Sequence, residues 1–118
     1  MRILLTGSGG QVGRALLTAL APMCDVIATD RLSFDLARPD QIRVQVATLR
    51  PDVIVNAAAE SHVEKSILEG ASEFVRTNVE GTQVLLDAIR ETPVDRFILI
   101  SSSEVYGTAE SAPMDEDH

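Results

Sequence analysis

Ile3-Leu4-Leu5-Thr6-Gly7-Ser8-Gly9-Gly10-Gln11-Val12-Gly13-Arg14-Ala15-Leu16-Leu17 is the stretch that decides how the chain is read. An apolar run enters a turn with glycines at 7, 10 and 13, and a helical pattern reaching Leu20 leaves it. Glycines at that spacing allow a tight turn, a close approach of backbone to a pyrophosphate, and close packing of a helix on a strand. The helix start would then offer free N–H groups and the positive end of its dipole to phosphates. A glycine-rich turn alone is equally an ordinary flexible loop. Its position between a strand and a helix favours a dinucleotide cradle.

Outward from this turn, strands and helices alternate. Residues 2–6 are predicted as a buried strand and 11–20 as a helix, which Ala21-Pro22 ends because proline disfavours helix at the residue before it. Residues 25–29 predict a second strand, closing at Asp30. Asp30 lies 23 residues after Gly7 and 17 after Gly13, the distance at which an acid can accept hydrogen bonds from the adenosine ribose hydroxyls. Such an acid repels a 2′-phosphate, which favours NAD over NADP, whereas Arg31 directly after it could pair with that phosphate. The plain alternative for Asp30 is a turn-initiating residue.

Ser33-Phe34-Asp35-Leu36 is read as a short third strand with its loop. Residues 39–49 fit a helix with proline in its first turn and Ile42, Val46 and Leu49 on one buried face. Val53-Ile54-Val55 is a buried strand running into Asn56-Ala57-Ala58-Ala59. Small residues at a strand's carboxyl end admit something flat against the backbone, or simply allow tight helix–sheet packing. Residues 72–91 predict one helix, with Val75, Val79, Leu86 and Ile89 on one face and Phe74, Leu85 and Ala88 beside them. Asn78, a poor helix former, is expected to tie this helix to the strand ends, and Gly81 to mark close approach of another backbone. Residues 96–100 form a fifth strand that delivers Ser101-Ser102-Ser103-Glu104-Val105-Tyr106-Gly107.

The alternation specifies an α/β fold: a Rossmann-like, doubly wound parallel sheet of about five strands in order 3-2-1-4-5. Its 118 residues are long enough to bury a core, and 45% are hydrophobic. Charge is uneven. Residues 1–59 hold six Arg and five Asp; residues 60–118 hold thirteen acids against Lys65, Arg76, Arg90 and Arg96; the net is −8. That balance argues against nucleic acid as a partner. No run approaches a membrane span, nothing resembles a signal peptide, and Cys24 is alone, so a reducing cytoplasm is expected.

Ser101 to Glu104 should emerge at the same sheet edge as the glycine turn. Hydroxyls there can hydrogen-bond a substrate oxygen, and Glu104 and Tyr106 are potential proton donors or acceptors, although a serine-rich loop is often only a loop. There is no Gly-x-Ser-x-Gly elbow. His62 and His118 lie too far apart for a local metal motif, and no metal is expected.

Taken together, the turn Thr6-Gly7-x-x-Gly10-x-x-Gly13, Asp30, Asp35-Leu36, Asn56-Ala57-Ala58-Ala59, Thr77-Asn78-Val79-x-Gly81-Thr82 and Ser101-Ser102-Ser103-Glu104-Val105-Tyr106-Gly107 resemble, in this order, the extended short-chain dehydrogenases/reductases. These include nucleotide-sugar epimerases, dehydratases, decarboxylases and reductases. The resemblance covers essentially the whole chain. It implies that Gly7, Gly10, Gln11, Val12 and Gly13 hold the NAD pyrophosphate, Asp30 the adenosine ribose, and Asp35 and Leu36 the adenine. It places Ala57, Ala58 and Ala59 along the nicotinamide-side ribose, Ser102 at the sugar's C4 oxygen and Glu104 as an acid beside the sugar. His62 and Ser103 fall on the substrate side. Residues 59–66 are similar to sugar 4,6-dehydratases; residues 1–59 are more similar to dTDP-4-dehydrorhamnose reductases, notably in Arg50-Pro51-Asp52-Val53-Ile54-Val55-Asn56-Ala57-Ala58-Ala59.

Two departures stand out. The dTDP-glucose dehydratases carry Asp-Glu where this chain has Ser103-Glu104. The family's Tyr-x-x-x-Lys base is absent, since Tyr106 is followed four positions on by Glu110. The expectation is an NAD-binding Rossmann domain, incomplete over 1–118, lacking the catalytic Tyr/Lys segment and substrate lobe. Such a chain would be inactive alone, with a nucleotide sugar as partner of the whole enzyme and self-association through an exposed strand edge.

Overall fold

In the computed structural model, residues 1–61, 67, 68 and 70–117 are described. Strands β1 (Arg2–Thr6), β2 (Asp25–Ala28), β3 (Val53–Asn56) and β4 (Arg96–Leu99) form a parallel sheet in the order β2-β1-β3-β4. Helices α1 (Gln11–Leu20), α2 (Pro39–Leu49), α3 (Ser72–Val75) and α4 (Gly81–Glu91) connect them. A π turn, Arg76–Glu80, joins α3 to α4. The Rossmann-like α/β reading therefore holds, with four strands among the described residues.

The expected third strand does not form. Ser33-Phe34-Asp35-Leu36 runs through turns, because its backbone is satisfied locally. Asp30 Oδ1 accepts from the N–H groups of Leu32 and Ser33, both at 3.0 Å. The Phe34 N–H donates to Asp30 O at 2.8 Å and the Arg38 N–H to Asp35 O at 3.0 Å. A segment whose donors close on itself has none to offer a ladder. Phe34 and Leu36 are still buried, as apolar plugs on the core rather than as strand residues.

β1 is central because it is apolar on both faces, as a strand buried between two helical layers must be. Leu4 joins Ile54, Ile42, Val46, Leu85 and Ala88 beneath α2 and α4. Ile3, Leu5 and Val55 face the other way, against Leu16, Leu17 and Leu20 of α1. At the amino edge Arg2 clasps three elements. Its N–H donates to Asp52 at 2.6 Å, its Nε to Asp25 at 3.1 Å and its Nη1 to the Leu49 carbonyl at 3.0 Å.

The buried face of the long helix differs from expectation. Gly81, Leu85 and Ala88 are buried, while Val75, Val79 and Leu86 are exposed. A π turn takes an extra residue per turn, so the phase read through residues 72–80 does not carry into α4. Gly81 does sit at a close approach, but to a side chain: a Cβ there would lie 3.0 Å from Leu36 Cβ.

Candidate functional site

The carboxyl ends of the strands gather the sequence-predicted residues. Thr6 and Asn56 pair in register at the ends of β1 and β3. Both are buried, and the Thr6 hydroxyl donates to Asn56 Oδ1 at 2.5 Å. That bond satisfies two polar groups that would otherwise be stranded beneath the edge. The Ile100 N–H donates to Asn56 O at 3.0 Å, which brings Ser101 to Glu104 out beside the same edge.

The glycine turn follows from backbone geometry. Gly7 has φ +67°, a left-handed conformation that favours glycine, and a Cβ there would lie 2.6 Å from Ala58 N. A Cβ on Gly13 would overlap the Gly7 carbonyl oxygen outright. Turn, helix start and β3 end are thus in contact at backbone level. Gly10 is the N-cap of α1 and supplies no side-chain cap, and the first helical bond is from the Arg14 N–H to Gly10 O at 2.9 Å. The N–H groups of Gln11, Val12 and Gly13 precede that bond and remain for an external acceptor. Together with the dipole this makes an anion-accepting helix start.

Beside the turn lies a cleft of about 240 Å³, lined by Gly7, Gly10, Asp30, Asp35, Leu36 and Ala57 to Ala59 among others. Pockets for drug-sized ligands run from roughly 300 to 1,000 Å³, so this cleft has room for only a part of such a ligand. Asp30 performs the turn-initiating role and also lines the cleft. Its pKa is held below the ordinary carboxylate value, first by the Ser33 N–H and then by the Ser33 hydroxyl. Asp35 accepts from the Ala37 N–H at 3.0 Å and faces Arg38 Nε at 3.7 Å.

The cleft does not extend to the serine loop. Ser102 precedes an exposed 3-10 turn, Ser103–Tyr106, and its hydroxyl accepts from the Glu104 N–H at 3.3 Å. Ser102, Ser103 and Glu104 share the sheet edge with the cleft but not its walls. His62 lies outside the described residues. Glu73, Arg76 and Thr77 also line the cleft, although the sequence reading gave none of them a cofactor role. Their spacing of three and four on a predicted helix was the available signal.

Asn78 has the tying role expected of it. Its Oδ1 accepts from the Glu60 N–H and its Nδ2 donates to the Glu60 carbonyl, both at 2.9 Å. The π turn is thereby fixed to the segment that leaves β3.

The family model described as the NAD dependent epimerase/dehydratase family matches residues 3–118. The chain is 38% identical to the low-salt glycan biosynthesis protein Agl12 of Haloferax volcanii, over 99% of this chain and 44% of that protein. It is 35% identical to a dTDP-glucose 4,6-dehydratase of Streptomyces niveus, over 99% of this chain and 42% of the enzyme. It superposes on the UDP-glucose 4-epimerase of Brucella ovis, solved with NAD, at a TM-score of 0.87 and 27% identity, over 98% of this chain and 40% of that one. Dehydratases and dTDP-4-dehydrorhamnose reductases both occur among the curated relatives. The chain spans less than half the length of the relatives it matches.

Proposed function

The chain belongs to the NAD dependent epimerase/dehydratase family, and from that premise we propose that it is the NAD-binding portion of an enzyme that oxidises a nucleotide sugar at C4. The observation that carries this reading is the uncapped helix start beside a glycine-rich turn, opening on a nucleoside-sized cleft that contains Asp30. The residues present fit the cofactor. The turn at Gly7 packs so closely on the Ala57–Ala58 backbone that no side chain fits there, three N–H groups face no protein acceptor within the helix, and Asp30 supplies an ionised acceptor.

In this reading the N–H groups of Gln11, Val12 and Gly13 hold the pyrophosphate, and Asp30 takes the adenosine ribose. Asp35 and Leu36 border the adenine, and Ala57 to Ala59 leave room for the second ribose. NAD, when bound, would supply the hydride acceptor. Ser102 would hold the sugar oxygen and Glu104 would exchange a proton with the sugar, with Ser103 and His62 on the substrate side. NAD is preferred to NADP because Asp30 stays ionised and repels a 2′-phosphate.

A second reading is a dTDP-4-dehydrorhamnose reductase-like enzyme using NAD(P)H. It is favoured by the stretch from Arg50 to Ala59 and by Arg31 in the cleft wall. A third is a stand-alone nucleotide-binding module without turnover, for which the cleft and the glycine turn alone would suffice.

Calorimetric titration of the chain with NAD and with NADP, followed by assay on UDP- and dTDP-sugars, tests these readings. Binding of NAD in preference to NADP, with no sugar turnover, is the expected result. A folded chain that binds neither dinucleotide would overturn it, and reduction of a 4-keto sugar by NADPH would favour the reductase reading.

A further inference from the structure

Opposite charges meet across the wall of the nucleoside-sized cleft. Arg31 follows Asp30 directly, and its Nη2 lies 3.7 Å from Glu73 Oε2 on α3, with the two side chains 76% and 51% exposed. Both residues line the cleft together with Asp30 and Arg76. So exposed a pair adds little to fold stability. Its consequence lies in what the cleft will accept.

Beside the ribose-binding acid of such a site, an arginine is the group that accommodates a 2′-phosphate, through paired charge-assisted hydrogen bonds. Here that arginine is already engaged by a carboxylate from an element 42 positions further along the chain. Glu73 also adds a negative charge to a wall that already holds Asp30. Arg76, one helical turn beyond Glu73, has no ion-pair partner among the described residues.

We propose that Glu73 is a specificity-determining residue: by engaging Arg31 at the cleft wall it keeps that cation from a 2′-phosphate, so the cleft takes a 2′-hydroxyl in preference. The proposal rests on the dinucleotide reading of the cleft. Neutralising Glu73 while keeping its shape releases Arg31 for a 2′-phosphate, which favours NADP.

Dissociation constants for NAD and NADP are to be measured on the full chain, on Glu73→Gln, on Glu73→Asp and on Glu73→Gln combined with Arg31→Gln. Glu73→Gln is expected to improve NADP relative to NAD by about tenfold, the worth of one charge-assisted contact. Glu73→Asp should keep the preference of the parent chain. The Arg31→Gln change should erase the gain. A ratio within about twofold of the parent in Glu73→Gln overturns the proposal, as does a gain that survives in the double variant. If the chain retains a cooperative thermal transition yet neither it nor any variant binds either dinucleotide, the dinucleotide reading itself fails and the proposal falls with it.

Discussion

Asp30 engages one oxygen of its carboxylate within its own turn. Oδ1 accepts from Leu32 N–H, Ser33 N–H and the Ser33 hydroxyl, each at 3.0 Å. Oδ2 is left without a donor among the described residues, which suits a ribose hydroxyl. The same bonds hold its pKa below the ordinary carboxylate value. The folded pKa lies under the unfolded one, so the stabilisation is fully present above the unfolded value, about 3.9. It is lost only as pH falls through the lower folded value. A carbon-detected NMR titration of the Asp30 carboxyl should therefore give a midpoint below that of a free aspartate, and NAD affinity should stay flat from pH 8 to pH 5. A midpoint at or above the ordinary value would remove the basis for a permanently charged ribose acceptor. The turn-initiating role weighed for this residue from sequence is carried by Oδ1, and the proposed ribose contact would fall to Oδ2, a division that spacing alone does not separate. Gly7 was legible for the opposite reason: nothing but glycine fits its φ of +67° against Ala58 N.

At the scale of elements, the helices and strands flanked by clear punctuation matched their expected bounds. α1 ends before Pro22, and α2 spans Pro39–Leu49 with Ile42 and Val46 buried. Failures arose where a polar side chain reorganised the backbone. Asp30 turned the expected third strand into turns, and the π turn rephased the helix that follows it. Neither leaves a periodic trace, and the Arg31–Glu73 contact leaves no local pattern either. Asn78 fixes the π turn by two bonds to the Glu60 backbone. Asn78→Ala is expected to lower stability by about 1–2 kcal/mol and to speed amide exchange at Glu60. Asn78→Asp keeps an acceptor for that amide but sets a carboxylate oxygen against the Glu60 carbonyl. It should destabilise while leaving the Glu60 amide protected. Equal exchange at Glu60 in both variants would contradict the assignment of the two bonds.

Across the whole molecule, the sheet presents β4 as an edge that pairs only with β3 among the described strands. Ile98, Leu99 and Ile100 are 39%, 45% and 38% exposed there, and Ile98 stands in register beside buried Val55. An apolar edge with unpaired backbone groups is a template for another chain. Sedimentation velocity is expected to show concentration-dependent association, relieved by Ile98→Lys. A clean monomer at high concentration would count against it. No helix of the described residues is long and apolar enough to cross a membrane.

The Arg2 clasp lies at the opposite end of β1 from the cleft. The chain's amino group stands 4.0 Å from Asp52 at this amino edge, while Thr6 closes the strand at the other. At about 3.3 Å per residue, five residues separate the two ends by roughly 17 Å. A tag or surface linkage attached at Met1 therefore points the glycine turn toward bulk solution. Sensor-chip immobilisation through that end presents the cleft to ligand, with the sheet itself as the spacer.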